Sequence, residues 1–289
     1  MNLFRSTSAK VGASIIGFFI VVAFVGPAFV GDPNATTTAL SAGPSSAHLL
    51  GTTNVGQDVF TQLVVGTRDS LLIAVVAGAI ATFVAIAIGV AGGVLGGLWD
   101  ELLSLVTNIM LVIPTLPLVI VIAGYLRNSG PFVVAIVIAL TGWSWSARIF
   151  RVQTLSLRRR DFVTAARASG EGPFRIITFE VLPHLVPLVA AQFLSVVLYA
   201  IMTQAGLAFL GLGSVNQWTW GTMLYWANNS QAFPLAQWWW FVPPGLCIAL
   251  FGTALVLLNS SIDSFSDSRL QSGIRLSNKG RLGRRGRRD

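Results

Sequence analysis

The stretch SLLIAVVAGAIATFVAIAIGVAGGVLGGL, residues Ser70–Leu98, contains no Asp, Glu, Lys or Arg. A bilayer's hydrocarbon core, about 30 Å thick, is crossed by about 20 such residues in a helix. Within it, each ionised side chain costs about 2.5–3.5 kcal/mol. Comparable runs lie on both sides: within Val11–Val30, within Leu102–Leu126 and over Asn128–Ala147. From Val181 to Ile262 there is again no charged residue. That last run is too long for one crossing, and Leu212-Gly213-Ser214 and Asn228-Asn229-Ser230 divide it into His184–Leu212 and Trp238–Ile262. The pattern predicts an all-α integral membrane protein with six transmembrane helices. The whole 289-residue chain agrees, with 54% hydrophobic and only 10% charged residues, against about 25% charged in a soluble protein. Soluble, disordered and collagen-like classes are excluded on this ground. The lone Cys247 excludes an internal disulfide framework or a cysteine metal cluster.

Basic residues set the orientation. With the N-terminus inside, the cytoplasmic segments hold Arg5 and Lys10, then Arg148, Arg151, Arg158, Arg159, Arg160, Arg167 and Arg175, and finally the Arg-rich tail. Of the 19 Lys and Arg, only Arg68 and Arg127 fall outside. Both termini are therefore expected in the cytoplasm. The layout is a cytoplasmic N-terminus over 1–10, a membrane domain over 11–270 and a basic cytoplasmic tail over 271–289. The membrane domain carries external loops at 31–69 and 213–237, and a cytoplasmic loop at 148–182. The first external loop reads as a plug or a short helix. A cleaved leader is disfavoured, because the first apolar run is long for one and its removal would invert the basic loops. Trp238-Trp239-Trp240 at the mouth of a span reads as an interfacial anchor. The net charge of +8 follows from the orientation rule, and no nucleic-acid role is expected. The tail, with Arg284-Arg285 and Arg287-Arg288, is expected to be drawn to anionic lipid.

No span carries an ionisable group near its middle, which argues against proton pumps, voltage sensors and charge-coupled carriers. Neither Lys10 nor Lys279 sits in a phosphate-binding G-x-x-x-x-G-K-[ST] loop. His48 and His184 fall on opposite faces, and no catalytic constellation is visible. Polar groups within the spans, Thr107, Asn108, Gln192, Thr203 and Gln204, have two readings. They line a substrate path, or they are interhelical packing bonds worth about 0.6 kcal/mol each. Gly92-Gly93 and Gly96-Gly97 read as close helix packing.

The segment Arg148–Leu182 is longer than a turn requires. Asp161 is placed to cap a helix. Phe162, Ala166 and Ser169 then share one face with Ala165 beside them, and Gly170 closes the helix in a left-handed conformation. Pro173 suits the first turn of a second helix through Ile176 and Ile177, ending before Pro183. So short a helix is marginal in water and needs a surface. Its small residues fit a groove on another protein, and its arginines fit lipid phosphates equally well.

Asp161-Phe162-Val163-Thr164-Ala165-Ala166-Arg167-Ala168-Ser169-Gly170 followed by Val181-Leu182-Pro183 resembles the EAA loop of ABC-importer permeases. Further stretches narrow the resemblance to the second, C-type permease of the dipeptide/oligopeptide branch. They are His48-Leu49-Leu50-Gly51-Thr52, Gly56-Gln57-Asp58-Val59-Phe60, Gly66-Thr67-Arg68, Ile113-Pro114-Thr115, Trp145-x-x-Arg148-x-x-Arg151, Phe209-Leu210-Gly211-Leu212-Gly213 and Trp220-Gly221-x-Met223-Leu224. The departures are neutral: Thr53 and Gln57 for the usual Asp and Arg, Asn108 for a common Asp, and Gln204 for a frequent Glu. Thr164 replaces the Glu that names the loop.

The resemblance implies a type I ABC-importer-like permease in a bacterial plasma membrane, part of an ATP-driven importer of di- or oligopeptides. It implies a second homologous permease, two ATPase domains and an extracytoplasmic peptide-binding protein as partners. Asp161, Phe162, Ala165, Ala166, Arg167 and Gly170 would form the helix that couples to an ATPase. No cofactor is implied on this chain; ATP and Mg belong to the ATPase partners, and this chain would be non-catalytic. An ATP-independent channel or passive carrier for small neutral or zwitterionic solutes is the competing class. A structural scaffold for other membrane proteins is a third.

Overall fold

A computed structural model describes residues 6–126 and 130–285, with side chains through Ile262. Arg5, Arg127 and the side chains of the basic tail lie outside the described residues.

The chain begins with α1 (Thr7–Val25), capped by the Ser6 hydroxyl on the amide of Ala9, and a short 3-10 turn follows at Gly26–Ala28. An irregular segment, held by isolated bridges pairing Thr36 with Gln57 and Thr52 with Asp58, leads into α2 (Val59–Leu95). No helix precedes Val59 in that segment, so the expected short helix is absent there. Helix α2 starts well before the predicted Ser70, because Asp58 caps it: its Oδ1 accepts from the Thr61 amide at 2.8 Å. Its Oδ2 meets His48 Nδ1 at 2.8 Å.

Next come α3 (Gly97–Val112) and α4 (Thr115–Tyr125), where the sequence predicts one continuous span. They are bent by 84°. Ile113 and Pro114 are both extended, since a residue preceding proline is pushed out of the helical region. Helix α5 (Pro131–Leu157) begins on Pro131 and outruns the predicted end at Ala147.

The short α6 (Asp161–Ala168) and α7 (Pro173–Arg175) follow. The expected stop before Pro183 does not occur. The backbone widens into a π-turn over Ile176–Val181, with Leu182 N–H bonding the Ile177 carbonyl. Helix α8 (Leu182–Phe209) then continues with Pro183 in its first turn, where a missing N–H is tolerated. The predicted external loop 213–237 contains α9 (Trp220–Asn229), and α10 (Trp238–Arg285) ends the described chain. Among the described residues five helices are long and apolar enough to cross a membrane, and six if the bent α3–α4 pair counts as one span.

Helix α2 is the centre of the bundle. Its Ala77, Ala81, Ala85, Gly89 and Gly93 recur every four residues and are all buried. This is the small-residue ladder that lets membrane helices approach closely. A side chain on Gly89 would collide with the Ala147 carbonyl of α5, and one on Gly93 would sit 2.6 Å from Thr154. Gly78 instead faces Val197 and Phe193 of α8. The Gly96-Gly97 pair has a different role from packing: both residues take positive φ, 68° and 56°, and form the tight corner between α2 and α3.

At the far end, Phe19 of α1, Trp220 of α9 and Phe251 of α10 meet edge-on at 5.4–6.0 Å, each contact worth about 0.5–1.5 kcal/mol. Trp220 is also pinned to α2, its amide donating to Ser70 Oγ and its indole N–H to Thr67 Oγ1.

Candidate functional site

Two regions bear the sequence-predicted residues: α6 at one end of the bundle and a polar face midway along it.

Helix α6 is capped by Arg160, whose carbonyl accepts from the amides of Val163 and Thr164. Asp161 is thus the first helical residue rather than the cap, and its carboxylate sits in the first turn, where the helix dipole favours an anion. At the other end Glu171 N–H bonds the Ala166 carbonyl and Gly170 N–H bonds that of Arg167. This is the Schellman pattern, closed by Gly170 at φ +81° as the sequence predicts.

The helix is two-sided. Val163 is fully buried, and Phe162 and Ala166 pack beside it against a cluster that includes Val94, Phe150, Ile176 and Leu185. The Phe162 ring stacks on His184 of α8 with centroids 4.7 Å apart. Phe162 and Ala166 therefore pack partly against the bundle, while Ser169, expected on the same face, is exposed. Ala165, Ala168 and Gly170 face outwards, and nothing lies within 4 Å of a side chain placed on Gly170. Arg167 reaches back to the end of α2, its Nη2 donating to the Val94 carbonyl at 3.1 Å. Arg158 does the same to Gly93 O at 3.4 Å. Two cations thus sit at the negative end of α2, where its last carbonyls lack helical partners.

Of the candidate path residues, only Gln192 borders a sizeable space. It lines a half-open cavity of about 450 Å³ at the α3–α4 break, together with Thr141, Ser144, Ser195 and Tyr199. Gln192 Oε1 accepts from Ser146 Oγ at 3.0 Å, joining α8 to α5. The ring of Tyr199 lies directly on Gly142, where a side chain would come within 2.8 Å of it. Asn108 is exposed on α3 away from this cavity, and Thr107 is buried with its hydroxyl on Leu103 O. Thr203 is buried, and Gln204 donates to Thr219 Oγ1 at 2.9 Å, tying α8 to the residue that caps α9. Thr107, Thr203 and Gln204 are thus buried among the helices, and Asn108 is not. Ser195 and Tyr199 were open to discovery in the sequence, because with Gln192 they form a polar stripe at i, i+3 and i+7.

Comparison with known proteins agrees with this arrangement. Residues 81–271 match the family described as binding-protein-dependent transport system inner membrane component. The chain is 33% identical over 261 residues to the oligopeptide transport system permease protein OppC of Bacillus subtilis (strain 168), covering 89% of this chain and 85% of that one. It is 34% identical over 238 residues to the probable D,D-dipeptide transport system permease protein DdpC of Escherichia coli (strain K12), covering 82% and 78%. A putative peptide transport system permease protein of Brucella suis biovar 1 (strain 1330) is 30% identical over 275 residues, covering 93% and 90%. A match over most of the chain, on a bundle of membrane-length helices, places this protein in the family of binding-protein-dependent transport system inner membrane components.

Proposed function

We propose that this chain is one permease subunit of an ATP-driven importer of di- and oligopeptides, forming half of the translocation path and receiving work through α6. The observation that carries the reading is the two-sidedness of α6. One face is locked into the bundle by Val163, Phe162 and Arg167, while the small residues Ala165, Ala168 and Gly170 are left outward. A rigid knob that contributes little burial of its own is suited to a groove on a partner. Peptide cargo is supported by the names of the relatives, and the cytoplasm as the side of α6 by the arginines gathered there. The partners are a second homologous permease, two ATPase domains that carry ATP and Mg, and an extracytoplasmic peptide-binding protein. This chain does no bond-making chemistry. Within it, the neutral cavity of Gln192, Ser195 and Tyr199 lines the path, and Asn108, Thr203 and Gln204 do not.

The test is uptake of a labelled tripeptide by cells expressing the whole complex, with and without Ala168→Leu. Uptake should be lost in the variant while the chain still inserts, because Ala168 is exposed within α6 and leucine is at ease in a helix. Normal uptake in the variant removes α6 from the mechanism. Solute flux through this chain alone, in vesicles without ATP, would replace the importer by a passive carrier.

A further inference from the structure

Helix α3 is the least covered of the long helices' neighbours. Within Gly97–Val112 only Thr107 is buried, and Asp100 ties the first turn to α5. The other side carries Leu98, Glu101, Leu105, Asn108 and Val112, all exposed, Val112 at 82%. They alternate at steps of three and four residues, the spacing of the seam along which two helices wind around each other.

A stripe turned to lipid would be apolar throughout. This one alternates three aliphatic side chains with a carboxylate and a carboxamide. Asn108 lies 11 residues beyond Gly97, about 16 Å along the helix axis. That is close to the middle of a hydrocarbon core about 30 Å thick. Neither its side chain nor that of Glu101 has a hydrogen-bond or ion-pair partner among the described residues. A carboxamide bare in hydrocarbon loses its bonds to water and gains none. The seam also ends on the irregular pair Ile113-Pro114, where the exposed Pro114 has no N–H for the Met110 carbonyl. Non-helical backbone at such a depth does not face lipid. Two separate features thus require protein against this face.

The pattern also narrows which protein. A chain of the same fold, related by a two-fold axis along the membrane normal, brings its own equivalent of α3 alongside, parallel and at the same depth. A second copy of this chain fits poorly, because the axis would set Glu101 opposite Glu101, and like charges facing each other exclude a partner. A homologous chain with a cation or a neutral donor at that level fits.

We propose that the Leu98–Val112 stripe of α3 is the seam against the second, homologous permease, whose equivalent helix gives Asn108 a hydrogen-bonding partner and Glu101 a cation or a donor. The inference rests on the importer reading, which supplies that second permease. Polar positions inside an apolar seam fix register and choice of partner at some cost in stability, so Glu101 and Asn108 select the homologue over a second copy.

The test places p-benzoylphenylalanine at position 105 of this chain in the whole complex, since Leu105 is exposed and makes no inward contact to disturb. Irradiation should join this chain to the second permease, with the junction mapping to that chain's equivalent of α3. A junction to a second copy of this chain, or to lipid alone, overturns the proposal. Asn108→Leu should lower recovery of the second permease with this chain in mild detergent about threefold, the worth of one interhelical hydrogen bond in a membrane bundle. Asn108→Gln should restore part of it. Glu101→Gln should lower recovery as well; if it instead promotes association between copies of this chain, the homologue is the wrong partner. Unchanged recovery in both Asn108→Leu and Glu101→Gln overturns the pairing. Tripeptide uptake by the unsubstituted complex is measured alongside. Without uptake the importer reading falls, while uptake with no junction to the second permease defeats this face alone.

Discussion

Asp100 and Arg151, 51 residues apart, share two hydrogen bonds, Nε to Oδ1 at 2.6 Å and Nη2 to Oδ2 at 2.9 Å. The fork fastens the first turn of α3 to α5, just beyond the Gly96-Gly97 corner. Both groups are partly shielded, with side-chain exposures of 31% for Arg151 and 17% for Asp100. A bidentate guanidinium–carboxylate pair is stronger than a single surface contact, yet the remaining exposure screens it. Arg151→Gln or Asp100→Asn should each lower resistance to unfolding in mixed micelles by about 1–3 kcal/mol. The double variant should lose less than the two added together, because both remove one interaction. Strict additivity would show that the two side chains act separately.

Gly89 makes a sharper prediction about the centre of the bundle. Even the single methyl of Gly89→Ala would meet the Ala147 backbone carbonyl, which cannot rotate away as a side chain can. Helices α2 and α5 must then part, at a cost of about 1–3 kcal/mol as in other overpacked interiors. Gly17→Ala in α1, with nothing within 4 Å, is the matched control and should be neutral or slightly stabilising. Unfolding midpoints of the two variants in the same detergent decide it.

These two sites differ in how far the sequence announced them. The apolar runs gave the spans directly, because hydrophobicity is a local property, whereas of the α2 ladder only Gly93 was singled out. The two Gly-Gly pairs look alike in sequence, yet Gly93 packs on Thr154 while Gly96 turns a corner; only the neighbouring helix tells them apart. The left-handed Gly170 that closes α6 was legible for the same local reason, while the cap falls on Arg160, one residue before the expected Asp161. The direction in which Phe162 points was not. Its partner, His184, follows Pro183, where the chain was expected to leave the helix, and the π-turn over Ile176–Val181 carries the helix through and brings the two rings together. The partner of Asp100 was hidden likewise, since a short acidic turn holds no record of an arginine on a distant helix.

The outward face of α6 can be tested without disturbing its inward one. Ala165 is exposed and Val163 is buried on the other side. Ala165→Trp should leave membrane insertion and thermal stability within about 0.5 kcal/mol, as for other surface changes. It should abolish recovery of the ATPase subunits when this chain is purified in mild detergent. Val163→Asp should do the reverse of this order, disrupting the bundle first, since an unpaired buried carboxylate is costly. If Ala165→Trp still brings down the ATPases, the outward face is not the contact.

Arg167 lies between the two faces and makes the most specific prediction about how movement would pass inwards. Arg167 is exposed as a residue, yet its Nη2 donates to the Val94 carbonyl near the end of α2. A displacement of α6 therefore pulls on the central helix as well as on the neighbouring α8. Arg167→Ala removes that pull and leaves Phe162, Val163 and Ala166 in place, so α6 should still form and still bind. The expected result is ATP hydrolysis near the unsubstituted rate with peptide uptake per ATP reduced at least about fivefold, the low end for coupling between distant sites. Arg167→Lys should restore part of it, because an ammonium also donates to a carbonyl but lacks the planar reach of the guanidinium. The exposed Arg159 serves as control, and Arg159→Ala should change neither rate. Equal losses of hydrolysis and uptake in Arg167→Ala would mean that the arginine serves ATPase binding, and would move the point of transmission from α2 to the Phe162–His184 contact with α8.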